Sequence, residues 1–170
     1  MGKNVSDGNK LTNAAARGDW REVERLLTEK KVDANAVNKY EQTALQVMML
    51  GSTLVAEELL KNGAEPNVQD KWGFTPAHDV ARNGFLDTMM VLTKYKADVN
   101  IRDATGCLPI HLAAKEGYLD LVQYLAPKSS ILQKNSNGQT PLDLARASNR
   151  TGVVAWLEEQ LQAMEIQTPH

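Results

Sequence analysis

Gly18, Gly51, Gly84 and Gly117 stand 33 residues apart, and this interval constrains the chain more than any other feature. Leu26, Leu59, Leu92 and Leu125 follow each glycine by eight positions and keep the same interval. A turn residue and a packing residue therefore recur together, as they do when one supersecondary unit is rewritten along a chain. A unit of this length cannot bury its own apolar face. Neighbours must stack against it, which gives an elongated array whose concave side is free to bind.

The local chemistry of each unit specifies a turn followed by two antiparallel helices. Thr75-Pro76 and Thr140-Pro141 place a capping hydroxyl before a proline whose fixed φ suits the first helical turn. Gly84 and Gly117 fall where the first helix of their units must stop, because glycine takes the left-handed C′ conformation without strain. Second helices are predicted over Leu86 to Tyr95 and Leu119 to Leu125. Asp70-Lys71-Trp72-Gly73, Asp103-Ala104-Thr105-Gly106 and Asn135-Ser136-Asn137-Gly138 have the composition of tight reversals. These are hairpin-like fingers between units. The period and content are those of ankyrin repeats, so the expected fold is an all-α solenoid of about five helix-turn-helix units with β-hairpin-like turns. The units are placed at about 7–39, 40–72, 73–105, 106–137 and 138–163, without linkers. They form a single domain over 1–165, with 166–170 as a flexible tail.

Composition removes several classes of partner. A formal charge of −2 and no Lys/Arg block argue against nucleic acid or an anionic membrane, both of which need a clustered positive field. Cys107 is the only cysteine, and Met1 to Lys10 holds no apolar run resembling a signal peptide, so a reduced, intracellular protein is expected. Asn4-Val5-Ser6 and Asn149-Arg150-Thr151 then carry no weight as glycosylation sites, and no stretch is apolar for long enough to span a bilayer. Met1-Gly2-Lys3-Asn4-Val5-Ser6 fits the loose myristoylation pattern, against the simpler reading of an unstructured start.

Positions where one unit departs from its siblings need an explanation other than the stack. Thr75 to Gly84 and Leu108 to Gly117 span nine steps, whereas Thr43 to Gly51 spans eight, so the first helix of unit two should be short or broken. Met48-Met49 answers the small Ala113-Ala114 there. Either the methionines fill a gap in the core or they line a groove wall as adaptable contacts. In unit three Asp79 stands where Leu112 and Leu144 stand in units four and five. A carboxylate in such a slot either caps a local backbone group or faces the groove to meet a cation. Arg82, one turn on, can pair with Asp79 or with Asp87. Trp72 and Phe74 flank Gly73 at a turn tip and read as a contact patch, unless one folds back over its neighbour.

No catalytic constellation is visible. His78 and His111 occupy the same repeat position, where an imidazole bonds between adjacent turns, and Asp143 replaces them in unit five. His170 stands alone. There is no Cys/His pair at ligand spacing, no glycine-rich phosphate loop and no nucleophile elbow. Cys107, at a turn, is expected to be partly exposed with nothing to activate it. The chain is read as a non-enzyme with no cofactor and no metal.

Leu45-Gln46-Val47-Met48-Met49-Leu50-Gly51 is followed one repeat later by His78-Asp79-Val80-Ala81-Arg82-Asn83-Gly84-Phe85-Leu86-Asp87-Thr88, and Ala14-Ala15-Ala16-Arg17-Gly18-Asp19 opens the array. Together these runs closely resemble the ankyrin-repeat inhibitors of the D-cyclin-dependent kinases, over about Leu11 to Leu157. The resemblance implies a monomeric inhibitor of cyclin-dependent kinases 4 and 6, present in cytoplasm and nucleus, that grips the kinase beside the ATP cleft on the face away from the cyclin. It also implies rotation of the small lobe, which distorts the nucleotide site. The family's contacts transfer onto Met48, Met49, Asp70, Phe74, Asp79 and Arg82. Glu41 departs from the pattern, standing where related fingers have glycine, and it puts the geometry of that finger in question. Two rivals remain: an ankyrin adaptor for another protein, such as a transcription-factor anchor, and an accessory subunit that activates its partner.

Overall fold

A computed structural model describes residues 5–167; the first four residues of the myristoylation pattern, Met1 to Asn4, and His170 lie outside them. The described residues form ten helices in five antiparallel pairs: α1 (Val5–Ala16) with α2 (Trp20–Thr28), α3 (Ala44–Val47) with α4 (Thr53–Lys61), α5 (Pro76–Asn83) with α6 (Leu86–Lys94), α7 (Pro109–Glu116) with α8 (Leu119–Leu125), and α9 (Pro141–Ala147) with α10 (Thr151–Gln167). α10 continues through Ile166 and Gln167, which corrects the placing of those two residues in a flexible tail.

The caps explain why the inner helices begin where they do. The Thr75 side chain accepts from the His78 N–H while the His78 ring takes the Thr75 N–H, and Thr140 and Asp143 repeat the exchange in unit five. Thr43 and Gln46 do the same in unit two, yet α3 stops after four residues, as the missing residue requires. Gly84 and Gly117 close α5 and α7 in the left-handed conformation. Gly51 has no such φ, because α3 ended well before it; a Cβ there would lie 3.0 Å from the Phe85 ring, so close packing keeps the glycine.

The core is a continuous row. Leu26, Leu59, Leu92 and Leu125 are all buried, and Leu157 extends the row into α10. Each is shared between neighbouring pairs, so the stack supplies the burial that no unit has alone.

Between the pairs run four fingers of one design: Asn38–Gln42, Asp70–Phe74, Asp103–Cys107 and Asn135–Gln139. In each, the first N–H donates to the fifth carbonyl at 2.9–3.0 Å. The first side chain then accepts from the third and fifth N–H groups through Oδ1. The fourth residue has positive φ, at Gly73, Gly106 and Gly138 but also at Glu41, with φ 62°. The first finger thus keeps the common turn with a residue that strains to adopt it.

Buried imidazoles tie one unit to the next. Because the Nδ1 of His78 accepts the Thr75 N–H at 3.1 Å, its Nε2 is the donor to the Cys107 carbonyl at 2.9 Å. His111 accepts from the Leu108 N–H and donates to the Gln133 carbonyl, 2.9 Å away. Cys107 is buried, which corrects the expectation of partial exposure.

Candidate protein-binding surface

The side chains singled out in unit three converge on one patch of α5 and its finger. The Arg82 Nη2 donates to the Asp79 Oδ1 at 2.6 Å, so of the two carboxylates within reach the arginine takes Asp79 and leaves Asp87. The Arg82 guanidinium carbon also lies 4.8 Å from the centroid of the Phe74 ring, and that ring meets His78 edge-on at 5.8 Å. Phe74 is the aromatic that folds back. Trp72 remains 56% exposed, with the Lys71 Nζ 4.3 Å from its ring centroid.

Among the described residues no backbone N–H donates to the Asp79 side chain, and the start of α5 is already satisfied by Thr75 and His78. Its side chain is 22% exposed. Burial pushes the Asp79 carboxyl pKa up, Arg82 partly offsets this, and the nearby charge of Asp70 adds to the rise. Burial thus disfavours the charged form of a carboxylate that stands in a leucine slot. Such groups belong to sites more often than to scaffolds.

The remaining predicted contacts fare differently. Asp70 adjoins the patch, but its Oδ1 holds the Trp72 and Phe74 N–H groups, as Asn38, Asp103 and Asn135 do in their own fingers. Its first duty is to shape the finger. Met48 is 3% exposed and packed in the core, which corrects its assignment as a contact: just past the four-residue α3, where the backbone is no longer helical, its side chain is buried in the core cluster. Met49 is 48% exposed; its N–H donates to the Ala15 carbonyl at 2.9 Å, and its sulfur lies over Gly18. Five of the six thus retain exposed or half-buried surface, four of them on the second finger and α5.

Tyr40, 69% exposed, and Trp72 stand on either side of a cleft of about 590 Å³ between the first two fingers. The signal for it was the repetition of Lys39-Tyr40 as Lys71-Trp72 at matching finger positions, with the Lys39 Nζ 5.0 Å from the Tyr40 ring. Among the described residues no group of three or more His, Cys, Asp or Glu side chains is placed to hold a metal ion, and no helix is long and apolar enough to cross a membrane.

Stacked helix pairs joined by fingers of one design define a repeat protein. The chain belongs to the ankyrin-repeat family, whose model (ankyrin repeats, 3 copies) matches residues 47–135 and 77–168. It is 55% identical over 85 residues to cyclin-dependent kinase 4 inhibitor B of Rattus norvegicus, covering 49% of this chain and 65% of that relative. Cyclin-dependent kinase inhibitor 2A of Monodelphis domestica is 52% identical over 86 residues, half of each protein. The human cyclin-dependent kinase 4 inhibitor B is 54% identical over 83 residues, 48% of this chain and 59% of that protein. The chain spans between half and two thirds of the length of these curated relatives.

Proposed function

We propose that this protein is a stoichiometric inhibitor of cyclin-dependent kinases 4 and 6 that restrains entry into the division cycle. The observation that carries the reading is the Asp79–Arg82–Phe74 cluster, an ion pair laid against an aromatic ring at a position where the stack itself calls for leucine. The names of the relatives supply the class of target. Met49, Asp70, Phe74, Asp79 and Arg82 form the contact surface on this reading, and the protein acts as a monomer in cytoplasm and nucleus, as one ankyrin domain.

On this reading the described residues act by contact and not by chemistry. His78 and His111 are buried and have both ring nitrogens engaged in bonds of the fold. Inhibition therefore works by shape: a rigid face bound beside the ATP cleft, away from the cyclin, turns the small lobe and misaligns the groups that transfer phosphate. Titrating the protein into active kinase 4–cyclin D complexes tests this directly. Loss of substrate phosphorylation reaching completion near one equivalent supports the reading. Full activity at a large excess rules it out.

A further inference from the structure

We propose that the cleft between the first two fingers receives an extended peptide segment of the kinase, paired through its main chain with Tyr40 and Lys71. This inference rests on the kinase reading above and adds the manner of docking.

The later fingers are zipped to one another and the first two are not. The Ala104 N–H donates to the Trp72 carbonyl at 2.9 Å, and the Ser136 N–H to the Thr105 carbonyl at 3.0 Å. The matching rung would join the Lys71 N–H to the Tyr40 carbonyl, but it is not made, and neither group is hydrogen-bonded elsewhere among the described residues. Two further links are missing at the same seam. Where His78 and His111 bridge to the next unit, Gln46 bonds only Thr43 within its own. Where Gln69 reaches the Arg102 carbonyl and Arg102 reaches the Lys134 carbonyl, the first finger has Val37, which has no side-chain donor. The short α3 also lacks the packing against α5 that α5 has with α7. The convex side is nevertheless closed, through the Thr88 hydroxyl on the Leu50 carbonyl at 2.7 Å and the Tyr95 hydroxyl on Glu57 at 2.6 Å.

The opening therefore faces the partner side only, and its lining fits a peptide backbone. A free main-chain donor and acceptor stand ready for a strand. Gln42, Gln46 and Gln69 add primary amides of the same chemistry as a peptide group, and the Tyr40 and Trp72 rings offer flat apolar walls. Glu41 and Asp70 are balanced by Lys71 and Lys39, so the site reads backbone rather than charge. The second finger also carries Phe74 of the proposed contact surface, which makes the cleft its continuation.

Residue-resolved amide exchange, on the full chain free and bound to cyclin-dependent kinase 4, reads the rung itself. The Lys71 amide should exchange freely in the unbound protein and slow at least about tenfold in the complex, while Ala104 is slow in both. A second variant tests the cleft by closing it. Gln46→His keeps the cap on Thr43 and supplies an imidazole for the Phe74 carbonyl, which accepts only the Asp70 N–H at present. It should raise the melting temperature by about 2–4 °C and weaken kinase binding about tenfold or more. An unchanged Lys71 amide in a complex that does form overturns the inference and leaves the kinase reading standing, as does a stabilised Gln46→His variant of full affinity. Failure of the unmodified protein to bind the kinase overturns both together.

Discussion

The Nε2 of His78 reaches out of its own helix to the carbonyl of Cys107, 2.9 Å away in the next finger, while its Nδ1 holds the N–H of Thr75. One buried neutral ring thus caps a helix and joins two repeats. His111 does the same one unit on.

Both histidines must be neutral to do this, and burial holds both pKa values below the ordinary 6.5. Unfolded, the rings titrate near that ordinary value. Their contribution is therefore complete above about pH 6.5 and is lost as pH falls below it, because the unfolded chain takes up protons that the folded one refuses. Stability should decline as pH falls through that window, at no more than about 1.4 kcal/mol per pH unit for each histidine. Urea midpoints at pH 7.5, 6.5 and 5.5 measure the slope. His111→Gln, with the residue that Gln46 shows to be a competent cap, should roughly halve it.

Leu92 is fully buried in the central unit, within the core cluster that also holds Leu59 and Leu125. Leu92→Ala should cost about 2–5 kcal/mol through lost burial and a residual cavity. Chemical denaturation gives the number, and any loss of kinase binding should appear only as far as the fold is lost. A variant melting with the unmodified protein would contradict the placing of this leucine.

Unit two should open first. Its inner helix has four residues, the imidazole bridge to unit three is missing, and Met48 fills its core with a side chain that specifies packing loosely. Amide exchange in α3 should run ahead of α7 and α9 by at least about tenfold. Equal protection in all three helices would show that the seam costs nothing.

Glu41 adopts φ 62° where the other fingers use glycine. The left-handed conformation costs an ordinary L-residue about 1–2 kcal/mol, of which the extra freedom of glycine in the unfolded chain returns part. Glu41→Gly should therefore stabilise the protein by about 0.5–1 kcal/mol, read as a shift in denaturation midpoint. A destabilised variant would mean that the Glu41 side chain makes contacts worth more than its strain.

Much of this architecture was legible because short-range chemistry and long-range packing coincide in repeats. Thr75-Pro76 and Thr140-Pro141 start α5 and α9 where the cap and the fixed φ require, and Leu26, Leu59, Leu92 and Leu125 are buried as their period demands. The missing residue in unit two foretold α3, but not that Met48 turns inward, since a one-residue deletion rotates the following side chains by an amount that local pattern does not encode. Asp79 stood out as a charge in a leucine slot. That Phe74 folds under Arg82 was not readable, because the partners meet only once finger and helix are assembled. The open seam was hidden for the opposite reason: it consists of bonds not made between Tyr40 and Lys71, and absent contacts leave no mark on a single residue.

On the proposed reading Asp79 is kept for a partner and not for the fold. Asp79→Asn removes its charge and preserves its shape. Since no backbone group depends on this side chain and burial already disfavours its charge, the melting temperature should stay within about 2 °C. The dissociation constant for cyclin-dependent kinase 4 should rise by the equivalent of about 2–5 kcal/mol, because a desolvated guanidinium on the kinase loses its acceptor. Both quantities measured on one preparation of Asp79→Asn decide the matter. A weakened complex with an intact fold is the predicted result; an unchanged dissociation constant with an intact fold would remove Asp79 from the binding surface.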